Sequence, residues 1–558
     1  LNYILEVLPK RLSTRSLRKS MLNQKIRLAA RLTGLLWLVV PNPASAESMV
    51  QVAELKAWPG VSQLISYNDR IWFVNSEPFK DTNVADIYSF SPASKALKYE
   101  RSLFSQDVGN PVVHEGLLHW PFEDPRRSAG TGEYAVTDGD RWQWQYMESG
   151  SVMHVHAMDV CNDQLVAVTG SWTGQLHTQQ ADSKWQLSYD YEAGSASFSR
   201  LVNVDQFNDT CIIGAAARGK KDAKLFSLED AQPVAPSGWP ISDRVDNLTV
   251  HKDELFGFTD TGSKRNLMHF DGTETKEISI PKGNRLRALH SNGDKLWLVT
   301  RHIENKVNNG RLWVYENGEF SALQEFAQAP VSVTSHKNKV YIGTYQPGGG
   351  ALWEYTDEQP GDVVDAETAE LPVKNESAPL DESLVEALYN EMSEIISDPE
   401  STADYSRILR RKIGRHPSIK TAEFGAAVTR LLSEPIEDGQ VTMFTRQPLT
   451  REALIRWYLL TTLAISGHGS VDPEWIGDGV ELEAHSSGKH FDPSVAAIVA
   501  VGWIGQNDKP TIDALIQRLN QDSDPAWIKS DVIGSLTALT EQQFAYDVTA
   551  WNQWWQSQ

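Results

Sequence analysis

Three arginines recur at one register. Arg200, Arg244 and Arg285 each lie eleven residues before the position (Cys211, Leu255, Leu296) that opens a short apolar run. His154 keeps the same offset from Leu165, His156 follows two residues later, and Arg287 adds a cation beside Arg285. Arg301, His302 and Arg311 come in the next connection. A guanidinium fork matches carboxylate, sulfate or phosphate oxygens, so arginines converging from successive repeats would read an anionic group. The same arginines have a structural use. Each can brace the neighbouring repeat through a carboxylate such as Asp159, Asp205 or Asp246. His154-Val155-His156 puts two imidazoles on one strand face, half of a metal site, with His119 and His290 as further donors. That set is incomplete, and neither a metal nor any other cofactor is assigned. As a general base beside arginines that neutralise a uronate, His154 or His156 would instead serve a lyase. These two histidines are the catalytic candidates. Arg200, Arg244, Arg285, Arg287, Arg301, His302 and Arg311 are the ligand-binding candidates.

The elements that must hold these residues repeat with a period of roughly 45 residues. Ile71, Leu117, Leu165, Cys211, Leu255, Leu296 and Val340 each open the second strand of a unit. The residues just before them include Asn68-Asp69, Glu115-Gly116, Asn162-Asp163, Asn208-Asp209 and Lys252-Asp253. Asn, Asp and Gly tolerate φ > 0 and suit tight hairpins. Runs such as Ile71-Trp72-Phe73-Val74 and Leu296-Trp297-Leu298-Val299 are apolar on both faces, so sheets must cover them on both sides. Stacked four-stranded units of this length resemble a seven-bladed β-propeller over residues 47–356. The likeness is architectural: there is no WD dipeptide, no kelch glycine pair and no regular Asp-box. The segment Val50–Lys56 is expected to close the ring as the outer strand of the last unit. In that architecture the arginine column and the loops carrying Arg126, Arg127, Arg265, Arg301 and Arg311 form a basic rim around a channel. Inner-strand polar residues such as Asn203, Asp205, Asn247 and His290 line it.

Residues 357–382 read as an acidic, solvated linker. Beyond them the period becomes helical. Asp492-Pro493 and Asp524-Pro525 are 32 residues apart, and Gly502 and Gly534 keep that offset. Asp followed by Pro is a good helix start. The run Val495–Gly505 and the closing Trp551-Asn552-Gln553-Trp554-Trp555 resemble a HEAT-like helical domain over 383–558, which implies an α-solenoid scaffold and carries no catalytic residues. The expected fold class is therefore multidomain β + α, a seven-bladed β-propeller with a C-terminal HEAT-like solenoid.

The N-terminal part reads as targeting sequence. Residues 1–20 look like upstream translation. Residues 21–46 hold a basic stretch, the apolar run Leu32–Val40 and Ala44-Ser45-Ala46, the three parts of a signal peptide. Removing 1–46, with eight Lys/Arg and one acidic residue, takes the net charge from −21 to −28. Such a chain disfavours nucleic acid and anionic membranes. No later segment reaches the length of a membrane span. Cys161 and Cys211 permit one disulfide in an oxidising compartment, although Cys211 also fits a buried aliphatic column. The expected function is an exported, periplasmic or secreted binding and scaffold protein. Its propeller face takes an anionic small molecule or polysaccharide, and its helices dock a protein partner. A lyase or hydrolase acting on an anionic glycan is the alternative.

Overall fold

The computed structural model describes residues 49–77, 83–127, 132–147, 152–170, 173–191, 199–217, 222–229, 232–261, 264–302, 309–356, 369–371, 379–397, 409–436, 440–442, 448–477 and 492–558. The expected upstream extension (1–20) and signal peptide (21–46) lie outside the described residues, as does most of the stretch 357–382 read as a linker.

Antiparallel four-strand units follow one another as the sequence period requires. The first runs Gly60–Tyr67, Arg70–Ser76, Ala85–Ser91 and Ala96–Leu103, each strand paired with the next. The unit Asn284–Ser291, Leu296–His302, Gly310–Glu316 and Glu319–Phe326 repeats it without departure. Five of the connecting turns, Asn68-Asp69, Glu115-Gly116, Asn162-Asp163, Asn208-Asp209 and Lys252-Asp253, have φ > 0 at both residues, the geometry for which their side chains were suited. Ile71–Val74 and Leu296–Val299 are completely buried, because sheets cover both faces. The strand Met49–Leu55 pairs antiparallel with Gly350–Thr356, so the start of the strand region supplies the outer strand beside its end. Ser332 Oγ donates to Val61 O (2.9 Å) across the same junction. The result is a propeller-like β fold followed by a helical region.

A recurrent defect shapes the inner strands. Near the start of six of them the pairing register slips, at Ser62/Ile65, Val155/Ala157, Leu201/Asn203, Asp246/Thr249, Leu286/Ala288 and Pro330/Ser332. A bulge re-aims the extra residue. His156 and Arg287 both occupy that unmatched place.

Among the described residues seven α-helices follow: α1 (Glu382–Ser397), α2 (Ala422–Ser433), α3 (Arg451–Ser466), α4 (Pro493–Ile504), α5 (Lys509–Leu519), α6 (Ala526–Thr540) and α7 (Val548–Gln556). Asp492 caps α4, its carboxylate accepting from Ser494 N–H. The second Asp-Pro pair behaves differently. Pro525 holds the N-cap place of α6, while Asp524 forms a two-point ion pair with Arg518 (2.6 and 2.9 Å). The helices do not stand apart from the strands. α6 packs on the outer strand Ala96–Leu103 so closely that a Cβ on Gly534 would come within 2.8 Å of Ser102. Phe104, Trp144, Trp457 and Trp503 link the two regions through ring contacts of 5.4 to 5.8 Å. The buried apolar faces of the helices pack against one another and, through α6 and these aromatic contacts, against the strands.

The acidic linker has one anchor. Leu371 is buried against Val112, Tyr134 and Met147, and its N–H donates to Asp138 (2.8 Å). Cys161 and Cys211 are joined as a disulfide, with Cα atoms 5.7 Å apart, tying two neighbouring units.

Candidate functional site

Residues from every unit but the third line a cavity of about 410 Å³. Gln63, Asp107, Asn203, Asn247, Arg287 and His290 supply its polar lining. His154, Arg200, Arg244 and Arg285 all fall at inner-strand starts, where the repeat alignment put them.

Most of these cations meet carboxylates. Arg200 Nη1 lies 3.4 Å from Glu123 Oε1. Arg244 Nε donates to Asp246. Arg265 forms a two-point pair with Asp260 (2.8 and 2.8 Å) and reaches Asp246 at 3.7 Å. Burial pushes the Asp246 carboxyl up, but Arg244 and Arg265 outweigh it and hold it below its usual value. Arg311 pairs with Glu325 and covers the Trp313 ring at 5.1 Å. Arg126 and Arg127, which the loop pattern assigned to the rim, are buried elsewhere. They bind Asp531 and Glu133 where strands meet helices.

The sixth-repeat arginines form a different arrangement. Arg285 stands directly opposite Arg301 across the strand pair. Like charges in that position repel. Arg287, bulged between them and the cavity, has its guanidinium pushed down to about 10, first by burial and then by the positive charges of Arg265, Arg301 and Arg285. Arg285 Nε is buried without a hydrogen-bond partner among the described residues. Tyr345 holds the next place in the ring at the level of Arg301, and its hydroxyl donates to Glu77 (2.9 Å). His302, at the end of the same strand as Arg301, is half-buried; its backbone N–H donates to Asn309 O (3.0 Å).

The histidine candidates sit in the wall of the third unit and do not line the cavity. His156 Nδ1 is 3.2 Å from Glu123 Oε1. Burial lowers His156 to about 4, which keeps it neutral. Glu123 is raised by burial, yet the hydrogen bond from His156 and the charges of His156, His154 and Arg200 bring it to about 2. His154 Nδ1 meets the Glu123 carbonyl at 2.5 Å. Donor atoms of Glu123, Asp124 and His154 converge within 4.8 Å, a set of a kind that holds divalent cations. Its carboxylate at Glu123 is already engaged by Arg200 and His156. His290 does line the cavity. Its Nε2 accepts from Ser335 N–H (3.1 Å), and burial lowers it to about 4.

Asp107 was not singled out by sequence reasoning. Asp107 faces the cavity from the irregular second unit, and burial lifts it to about 7. Its short inner strand, Val112–His114, hides the register that would have flagged it. Arg265 was legible only as one more cation in a basic loop.

No protein-family model matches this chain, and no curated protein matches it. It is similar in structure to the β-propeller domain of the Trilobed protease from Pyrococcus furiosus. That match has 11% identity and a TM-score of 0.39, covering 55% of this chain and 98% of that one. The Cps50 (Swd1) β-propeller domain of Myceliophteria thermophila gives 10% identity and a TM-score of 0.39, over 55% of this chain and 100% of that one. An oligogalacturonate lyase from Vibrio parahaemolyticus gives 12% identity and a TM-score of 0.40, over 56% and 94%.

Proposed function

We propose that this is an exported anion-binding protein whose channel mouth takes carboxylate or sulfate groups of an acidic polysaccharide. Arg285, Arg287 and Arg301 are the recognising groups. The observation that carries the reading is the Arg285–Arg301 cross-strand pair with Arg287 behind it. Like charges set opposite one another repel, and an anion bridging them lowers that cost. A cavity walled by protein strengthens such a field on an otherwise acidic molecule. The reading takes the ring as seven-bladed and the helices as HEAT-like, following the sequence period. A disulfide suits the periplasm or the outside of a cell. A protein partner for the helices has a smaller basis, the half-exposed Leu380 and Leu384 at the start of α1.

The test is calorimetric titration with polygalacturonate, alginate and heparin fragments, with neutral dextran as control. Binding of an acidic chain, lost in Arg285→Ala/Arg301→Ala without a fall in melting temperature, supports the site. Equal behaviour toward dextran sinks it. Asp107 adds a pH signature. Below about pH 7 it is protonated, so the cavity loses a negative charge and anion affinity rises as pH falls from 8 to 6.

The enzyme reading has one observation in its favour. Tyr345 lies beside Arg301, and burial and Glu77 raise its pKa, so its hydroxyl stays protonated as a donor to a leaving oxygen must be. Unsaturated ends appearing on polygalacturonate, and abolished in Tyr345→Phe, would establish a lyase; stable fragments after prolonged incubation reject it.

A further inference from the structure

The second unit departs from its neighbours. Its inner strand, Val112–His114, has three residues where the first unit's inner strand has eight. Fewer of its own side chains therefore cover the apolar cluster it shares with the third unit, which includes Tyr134, Met147, Met158 and Trp185. Leu371, 233 positions beyond Asp138 in the chain, joins that cluster and is only 4% exposed.

The polar contacts of this segment go to groups that the strand units fix by themselves. Asp138 is held by its own turn. Its Oδ1 accepts from the N–H groups of Asp140 (3.0 Å) and Arg141 (2.7 Å), and its Oδ2 accepts from Arg141 Nε (2.9 Å). Oδ2 also accepts from Leu371 N–H (2.8 Å). Gly116 O, steadied by the Tyr67 hydroxyl (2.8 Å), accepts from Ala369 N–H (3.2 Å). Glu370 lies between them, exposed, with Oε2 3.5 Å from Arg141 Nη2, a contact worth little in water. Two backbone N–H groups and one buried aliphatic side chain are thus what the site reads. Main-chain hydrogen bonds with a side-chain pocket are how sheet proteins take extended peptides. Pro372 follows Leu371 in sequence and restricts it to extended backbone. Acceptors already fixed before docking reduce the ordering cost of binding.

We propose that this end of the second unit is a docking site for an extended protein segment that presents a leucine, and that residues 369–371 occupy it in cis. Asp138 and Gly116 take the backbone, and the cluster between the second and third units takes the leucine. The chain's own segment is a built-in competitor, since a tethered peptide acts at an effective concentration on the order of millimolar. A partner's segment gains the site when this one is released. Gly116 lies in the turn after the inner strand, so the site is at the opposite end of the unit from the channel mouth.

The experiment is calorimetric titration of the whole protein with a synthetic peptide of residues 367–374. Leu371→Asp in the protein empties the site, because a charge is not accepted in the apolar cluster. That variant should bind the peptide at one site, and the parent should bind it about tenfold or more weakly, its own segment holding the place. The same peptide methylated on the leucine nitrogen has no hydrogen to donate to Asp138 and should bind the variant about tenfold or more weakly. Ala369→Pro, which removes the N–H that Gly116 accepts, should also bind the peptide more tightly than the parent, and it decides if Leu371→Asp does not fold. Adding Arg285→Ala/Arg301→Ala should leave peptide binding unchanged. No binding to either variant, equal binding to variant and parent, equal binding of the methylated peptide, or loss of binding with the channel-mouth arginines each overturns the proposal.

Discussion

The fifth and sixth units place the same residue at the same register and give it opposite partners. Arg244 pairs across the strand with Asp260, and Arg285 pairs across the strand with Arg301. Both units are four-stranded with a bulge in the inner strand, at Asp246/Thr249 in the fifth and Leu286/Ala288 in the sixth. In the fifth unit Asp260 and Asp246 neutralise Arg244 and Arg265, and that cluster is internally complete. In the sixth the cations face cations, and the bulge turns Arg287 toward the cavity. An arginine matched by a carboxylate here is a brace. Arg285 and Arg301, set opposite one another, bring two like charges to a place that an anion can bridge.

The extreme of the matched class lies at the helices. Arg126 and Asp531 are both about 2% exposed as side chains and bind each other. Arg126→Ala leaves Asp531 buried without its counter-charge, so stability should fall by about 3–5 kcal/mol. Denaturant unfolding measures it, and a loss below about 1 kcal/mol would place this pair outside the brace class. Next in size is Asp260→Arg, which gives the fifth unit the pattern of the sixth. Arg265 loses its two-point partner and Arg244 gains a like charge across the strand pair, at a cost of about 2 kcal/mol. A variant as stable as the parent would show that the ring tolerates crowded cations without cost, and the comparison would lose its force.

The carboxylates have their own like-charged pair. Asp159 and Asp205 lie on neighbouring inner strands. Burial raises both, Asp205 to about 7, and for Asp159 the charge of Asp205 adds to the shift. A carboxyl raised on folding contributes full stability below its unfolded pKa near 4 and loses it as pH climbs through 7. Asp205→Asn should therefore match the parent near pH 4 and exceed it at pH 8 by on the order of 1 kcal/mol or more. Thermal melts of both proteins across that range test the sign. A gap that widens toward low pH refutes the pairing.

Local chemistry made much of this readable in the sequence. The runs Ile71–Val74 and Leu296–Val299 lack alternation, which only a strand covered on both faces allows. The turn residues before them carry their own backbone preference. The Met49–Leu55 closing strand followed from an unpaired edge. What stayed hidden depends on partners distant in sequence. Arg126 and Arg127 look like rim residues because Asp531 is 405 positions away from Arg126. Leu371 sits in an acidic stretch with no period, so nothing marks it as an anchor. The Arg200, Arg244 and Arg285 column was visible, but whether each cation meets Glu123, Asp260 or Arg301 depends on single residues at the facing strand, and a period cannot specify those.

The smallest expected change in stability is also the sharpest discriminator. Arg301→Asp writes the fifth-unit pairing into the sixth: Arg285 gains an opposite charge, and Arg287 loses one of the three neighbours that depress it. Half-exposed cross-strand pairs are worth only a few tenths of a kcal/mol, so a gain of about 0.5 kcal/mol is expected. Anion binding should move far more, because the new carboxylate occupies the electrostatic place of the ligand. A stability gain together with lost affinity for polygalacturonate is what a binding arc requires. If Arg301→Asp instead destabilises the fold and leaves affinity unchanged, Arg301 is a brace whose partner lies elsewhere, and the two units differ in wiring but not in purpose.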